Sequence, residues 1–209
     1  MAPAALNEAS FKRGLRSLAR RDRDLAGILR RLGPPPLWAR EPGFPTLIYI
    51  ILEQQVSLAS ARAAYDRLLA SGPLTPARFL GFDDAALKAI GFSRQKTAYG
   101  RGLARAVADG ELDLAALEAM TDAEARVALQ KVKGVGPWTA EIYLLMALLR
   151  PDAWPSGDLA LAVALQYVKG LPARPGPDEV VALGRAWQPW RAVAARLLWH
   201  HYLSGANAI

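Results

Sequence analysis

The chain has 209 residues, 52% hydrophobic and 22% charged, with a formal net charge of +7, a pI near 10.0 and no cysteine. That length buries a core without covalent staples, and the missing cysteine excludes disulfides, thiolate metal sites, iron–sulfur clusters and cysteine nucleophiles. The excess of arginine favours a polyanionic partner such as nucleic acid, and it fits plain solubility in an Ala/Arg-rich chain equally well.

Apolar residues recur at i, i+3 and i+4 in segment after segment, and period-2 alternation between hairpin dipeptides does not occur, which predicts an all-α protein. The pattern places helices at 7–20, 23–32, 44–55, 58–70, 83–90, 94–108, 113–118, 121–132, 137–149, 158–168, 178–186 and 190–203. Along the first of these and into the second, Arg13, Arg16, Arg20 and Arg23 make a charged stripe that reads as a solvated face. Gly33-Pro34-Pro35-Pro36 and Ser71-Gly72-Pro73 are turns. Glu53, Glu141 and Arg150 interrupt the apolar runs before membrane-spanning length, so no transmembrane helix is predicted. The N-terminal stretch MAPAALNEASFKRGL lacks the basic start and apolar middle of a secretory signal, which predicts a protein that stays where it is made.

Arg94, Lys96, Arg101 and Arg105 recur on the 94–108 helix and form a better candidate for phosphate contact than the N-terminal stripe. The next long helix opens with Thr121 and Glu124, a capping box, and carries Ala125, Ala128, Leu129 and Val132 on one face. Ile142, Leu145, Met146 and Leu149 form the matching face of the helix after it. Between them lies Lys133-Gly134-Val135-Gly136-Pro137, a tight hairpin. Pro137 suits a first helical turn, and the amides there favour an anion, with Lys131 and Lys133 adding charge beside them. Taken alone, the stretch reads better as an ordinary helix–helix turn with two solvated lysines. Asp158 stands before Leu159-Ala160-Leu161, where it reads as a helix N-cap worth roughly 1 kcal/mol. His200 and His201, the only histidines, have no spaced carboxylate partners; they read as helix-surface residues rather than a metal site or triad.

Several ordered segments together carry a resemblance to a known family. Val132 to Ala140 resembles the hairpin of the helix-hairpin-helix DNA glycosylase superfamily, in its 3-methyladenine DNA glycosylase II (alkylpurine) branch, with Lys133 where a proline is usual. Trp154-Pro155-Ser156-Gly157-Asp158-Leu159-Ala160-Leu161 resembles the family's Pro-x-Asp-Asp-Leu-x-Leu segment, with Gly157 in place of the first aspartate. Segments 51–57, 91–96 and 187–194 are similar as well, so the likeness covers most of residues 44–203.

The resemblance implies an all-α, two-lobed fold with the active-site cleft between lobes. Residues 44–149 would form the central lobe, 1–43 with 150–209 the other, and an N-terminal β-domain is expected to be missing. It implies Asp158 as the catalytic carboxylate and Trp138, Tyr143 and Trp190 as the base pocket, with Trp187 and Trp154 as further candidates. Trp199 and Trp187 fit core packing better. DNA contacts fall on Gln54, Gln55, Lys131, Lys133, Gly134, Gly136, Arg94 and Lys96. Gln55 would fill the gap left by an extruded base; alternatively both glutamines only cap the break before Ser57.

No cofactor is required; the backbone carbonyls of Gln130, Val132 and Val135 are expected to hold a structural Na+ or K+. Trp138 occupies the position of the lysine found in bifunctional relatives, which implies hydrolysis without lyase chemistry. The expected function is removal of N3- or N7-alkylated purines from double-stranded DNA by base flipping, the first step of base-excision repair, by a cytoplasmic, nucleoid-associated bacterial monomer. A non-catalytic helix-hairpin-helix DNA-binding protein is the competing class. Trp138 and the missing cysteines disfavour a glycosylase for oxidised or mismatched bases.

Overall fold

The computed structural model describes residues 4–205, and among these there is no strand. Twelve α-helices follow in order: α1 (Glu8–Arg21), α2 (Arg23–Leu32), α3 (Phe44–Glu53), α4 (Leu58–Ala70), α5 (Pro76–Leu80), α6 (Asp84–Ile90), α7 (Arg94–Ala108), α8 (Asp122–Gln130), α9 (Pro137–Met146), α10 (Leu159–Lys169), α11 (Pro177–Gly184) and α12 (Arg191–Leu203). The all-α expectation is met.

The chain divides into two compact units: Arg40–Tyr143 forms one, and the segments up to Ala39 and from Leu144 onward form the other. In the first, Leu47, Ile48, Ile50 and Ile51 of α3 are fully buried, with α4 and α7 packed against that helix. Phe79 of α5 meets Phe44 and Phe92 edge-on. α5 has no counterpart among the predicted helices, because five residues are too few to display a helical period. Its cues are local, with Thr75 accepting from Arg78 N and Pro76 at the first position.

In the second unit α12 is the central helix, buried at every position from Ala192 to Trp199. α1, α2 and α10 surround it. Asp22 ties these elements together: it caps α2 through Leu25 N and accepts from Lys169 Nζ (2.7 Å) and Trp187 Nε1 (2.8 Å). Trp187 is accordingly a core residue. So is Trp154, whose indole N–H donates to the Val180 carbonyl at 3.0 Å.

The fully buried Arg196 donates to the carbonyls of Leu37 (2.6 Å), Ala192 (3.0 Å) and Leu145 (2.8 Å). The last of these bonds satisfies a carbonyl in the final turn of α9. That helix stops at Met146, short of the predicted 149, and Leu149 turns into the left-handed region at φ +52°.

The histidines are not surface residues. His201 is buried, its Nδ1 accepting from Arg31 at 2.9 Å, and His200 bonds the Leu32 carbonyl and packs edge-on to Trp38. Because α12 is enclosed on all sides, the position of its histidines carries no sign of exposure.

Candidate active site and nucleic-acid interface

In the first unit the hairpin is built by α8, its turn and α9. Thr121 and Glu124 close the capping box, the Thr121 N–H donating to Glu124 at 2.8 Å and the Glu124 N–H to Thr121 Oγ1 at 3.3 Å. Arg126 on α8 pairs with Glu141 on α9, bracing the two helices. Inside the turn, the Val135 N–H donates to the Val132 carbonyl at 3.0 Å.

The two hairpin glycines differ in what they are for. Gly134 sits at φ +96°, and a Cβ there would lie 2.2 Å from Tyr99 Cγ, so no other residue fits. At Gly136 a Cβ would meet nothing in the protein, and φ lies outside the left-handed region. The fold itself therefore does not require glycine at 136; closeness to something outside the chain would. Lys131 and Lys133 are exposed on either side of Val132. Trp138, half-buried, lies in the first turn of α9.

Among the other expected DNA contacts, Gln55 is exposed between α3 and α4 and is held at φ +56°. α3 ends two residues before the predicted boundary to make that turn. Gln54 is directed inward, its Nε2 donating to the Gly134 carbonyl (2.9 Å) and to Thr139 Oγ1 (3.0 Å). Arg94 is exposed at the start of α7. Lys96 is spent within the protein: its Nζ donates to the Leu52 carbonyl at 2.7 Å, and burial lowers its pKa. Arg101 pairs with Asp84 at 2.6 Å, whereas Arg105 is exposed.

Tyr143 is wholly buried. Its hydroxyl accepts from the Gly43 N–H at 2.9 Å, and burial pushes the phenol up to about 12. Its ring offers no face to a base, so the expected pocket role does not fit this geometry.

In the second unit Asp158 caps α10, Oδ1 accepting from the Leu161 N–H at 2.8 Å. The same oxygen accepts from Trp199 Nε1 at 3.0 Å. Two donors on one oxygen, one from the backbone and one from α12, fix the carboxylate's rotation. Trp199 is thus a tryptophan attached to Asp158. Sequence periodicity gave no sign of this, because a tryptophan on an enclosed helix reads as packing. Trp190 instead lies over Gly14 of α1, where a Cβ would come within 3.0 Å of its ring. At Gly157 a Cβ would meet nothing, so the position is open to larger residues.

Among the described residues no group of three or more His, Asp or Glu side chains is arranged to hold a metal, and no helix is long and apolar enough to cross a membrane. The donor set at Gln130, Val132 and Val135 consists of neutral backbone carbonyls, which suits a hard monovalent cation rather than a transition metal.

The model of the HhH-GPD superfamily of base excision DNA repair proteins matches residues 48–189. A Bacillus subtilis protein named as a candidate DNA-3-methyladenine glycosylase is 28% identical over 184 residues, 84% of this chain and 64% of that protein. The chain therefore spans just under two thirds of that relative's length. An alkylbase DNA glycosidase-like protein of Schizosaccharomyces pombe is 26% identical over 200 residues, 92% of this chain and 94% of its own. Among solved structures, a 3-methyladenine DNA glycosylase of the same yeast in complex with abasic DNA is similar with a TM-score of 0.81 at 25% identity, covering 91% of this chain and 95% of that one. The match runs from α3 through the glycine hairpin and past the Asp158 cap, over more than half of the chain, and the chain belongs to the HhH-GPD superfamily of base excision DNA repair proteins.

Proposed function

We propose that the protein is a monofunctional DNA glycosylase that hydrolyses the N-glycosidic bond of N3- or N7-alkylated purines in double-stranded DNA and so initiates base-excision repair. The observation that carries this reading is the carboxylate of Asp158, held by the Leu161 amide and the Trp199 indole. Relatives named for the same activity support it.

Alkylation at N3 or N7 leaves the purine cationic, so the C1′–N9 bond breaks with its electron pair passing to the base and positive charge developing on the sugar. A fixed carboxylate beside C1′ stabilises that charge. Asp158 then accepts a proton from the water whose oxygen bonds to C1′. Trp138, where bifunctional relatives carry lysine, supplies no amine for a Schiff base, so the product is an unbroken abasic strand.

The hairpin supplies the strand grip. Its amides, Gly136 without a side chain, and Lys131 and Lys133 provide neutral and charged donors for a phosphate. A Na+ or K+ on the carbonyls of Gln130, Val132 and Val135 would add positive charge there. Arg94 extends the basic surface, and Gln55, exposed and strained, fills the space of the extruded base. Trp138, half-buried at the start of α9, is the aromatic residue best suited to a cationic base. The protein acts as a monomer on nucleoid DNA.

The test is to incubate the protein with methylated duplex DNA and identify released bases by mass. Methylpurines are expected from the wild type. Asp158→Asn should release none while binding the duplex as before; unchanged behaviour of that variant, or release of uracil or oxidised guanine, would overturn the assignment.

A further inference from the structure

Gln54 and Gln55 are adjacent and face opposite demands. Gln55 is exposed in a left-handed conformation that a non-glycine residue keeps only when its surroundings impose it. Gln54 is where one constraint enters. Its side-chain amide has two hydrogens, and both are used, one on the Gly134 carbonyl at 2.9 Å and one on Thr139 Oγ1 at 3.0 Å. These two acceptors lie on either side of the turn that carries Gly136.

A second constraint enters from the α3 side. Lys96 Nζ holds the Leu52 carbonyl at 2.7 Å, and Arg40 grips Glu53 with two bonds of 2.8 and 2.6 Å. α7 supports both ends of the arrangement. It supplies Lys96 to α3 and Tyr99 to Gly134, and the Tyr99 hydroxyl accepts from Gln95 Nε2 at 2.7 Å. Thus the turn after α3 and the hairpin are braced into one piece, with the Gln54 amide as the direct tie between them.

We infer that Gln54 is a positioning residue that couples insertion of Gln55 to the hairpin's hold on the strand. The inference rests on the glycosylase reading above. Extrusion of a base requires the plug to enter at a set distance from the gripped phosphate, and a displacement of about 1 Å in such an arrangement costs up to about 100-fold in rate. Gln54 does not itself touch DNA in this account, since its amide donors are committed to the protein.

Gln54→Met keeps the length of the side chain and removes both donors. Single-turnover base release is measured on a duplex with a paired methylpurine and on one with the same methylpurine in a single-nucleotide bulge, where unpairing is no longer needed. The paired substrate should lose roughly 10- to 100-fold and the bulged one no more than about threefold, with affinity for undamaged duplex unchanged. Equal loss on both substrates would assign Gln54 a purely structural role and overturn the inference, as would an unchanged rate on the paired one. If Gln54→Met melts early, Thr139→Val removes one acceptor with little change of shape and must show the same selective loss, in smaller degree. Wild-type protein that releases nothing from either substrate would instead sink the glycosylase reading itself.

Discussion

Trp199 Nε1 donates to Asp158 Oδ1 at 3.0 Å, joining α12 to the cap of α10 across 41 positions of sequence. The same oxygen holds the Leu161 amide, so one side-chain atom both starts a helix and is aimed by another. Hydrogen bonds to a charged group are worth about 1.5–3 kcal/mol, about 10- to 100-fold in rate if the whole effect falls on the transition state. Trp199→Phe retains the ring and deletes the donor. Base release should fall by about tenfold or more while the melting temperature changes by only a few degrees; an undiminished single-turnover rate would show that the indole only packs.

The hairpin glycines are predicted to separate stability from binding. Gly134→Ala forces a Cβ into Tyr99 and a left-handed φ on alanine, and should cost about 2 kcal/mol or more of folding stability. Gly136→Ala meets nothing in the protein, so its melting curve should match the wild type. Its affinity for duplex DNA should drop severalfold if the hairpin grips the strand as proposed, because the added methyl would then stand between the turn's amides and the phosphate. Thermal melts and a fluorescence-anisotropy titration on the same two variants check both halves. Equal affinities for Gly136→Ala and wild type would remove the hairpin from the interface.

The sequence made the helices and the hairpin legible because both rest on local patterns: apolar spacing, Thr121 with Glu124, and glycines before Pro137. Asp158 was legible as a cap from its neighbours. The partners were not. Gln54 reaches Gly134 across 80 positions, and Trp199 and Tyr143 find their acceptor and donor across 41 and 100, distances over which one sequence carries no pairing signal. Lys96 was misleading for a related reason: its charge suggested phosphate, but the length of its chain lets it reach a helix-end carbonyl instead. On α12 the enclosed surroundings erased the periodicity that distinguishes core from surface.

Arg196 tests how much of the second unit depends on one buried cation. Burial pushes its guanidinium down to about 9, and three carbonyls rather than a carboxylate receive its hydrogens. Charge is retained at neutral pH, which keeps all three carbonyls supplied with a donor. Arg196→Met fills similar space and leaves the Leu37 and Leu145 carbonyls without this donor. Each such loss costs about 1–3 kcal/mol, so chemical denaturation should report a loss of about 3 kcal/mol or more. Arg196→Lys should recover only part of it, because one ammonium cannot span three directions.

His201 makes stability depend on pH in a definite direction. Burial first, and the nearby Arg31 charge second, lower its pKa below the usual 6.5. Its Nδ1 accepts from Arg31, a bond that only the neutral ring with its proton on Nε2 can make, and Nε2 has no partner in its buried surroundings. The folded protein thus resists a proton that the unfolded chain accepts at about pH 6.5. More protons bind to the unfolded state in that range, so stability is full above it and declines as pH falls from about 6.5 towards 5, before most carboxylates titrate. His201→Gln offers Arg31 an acceptor that does not titrate. Its denaturation midpoint should be flatter than the wild type's between those pH values, and parallel curves for the two proteins would exclude His201 as the source.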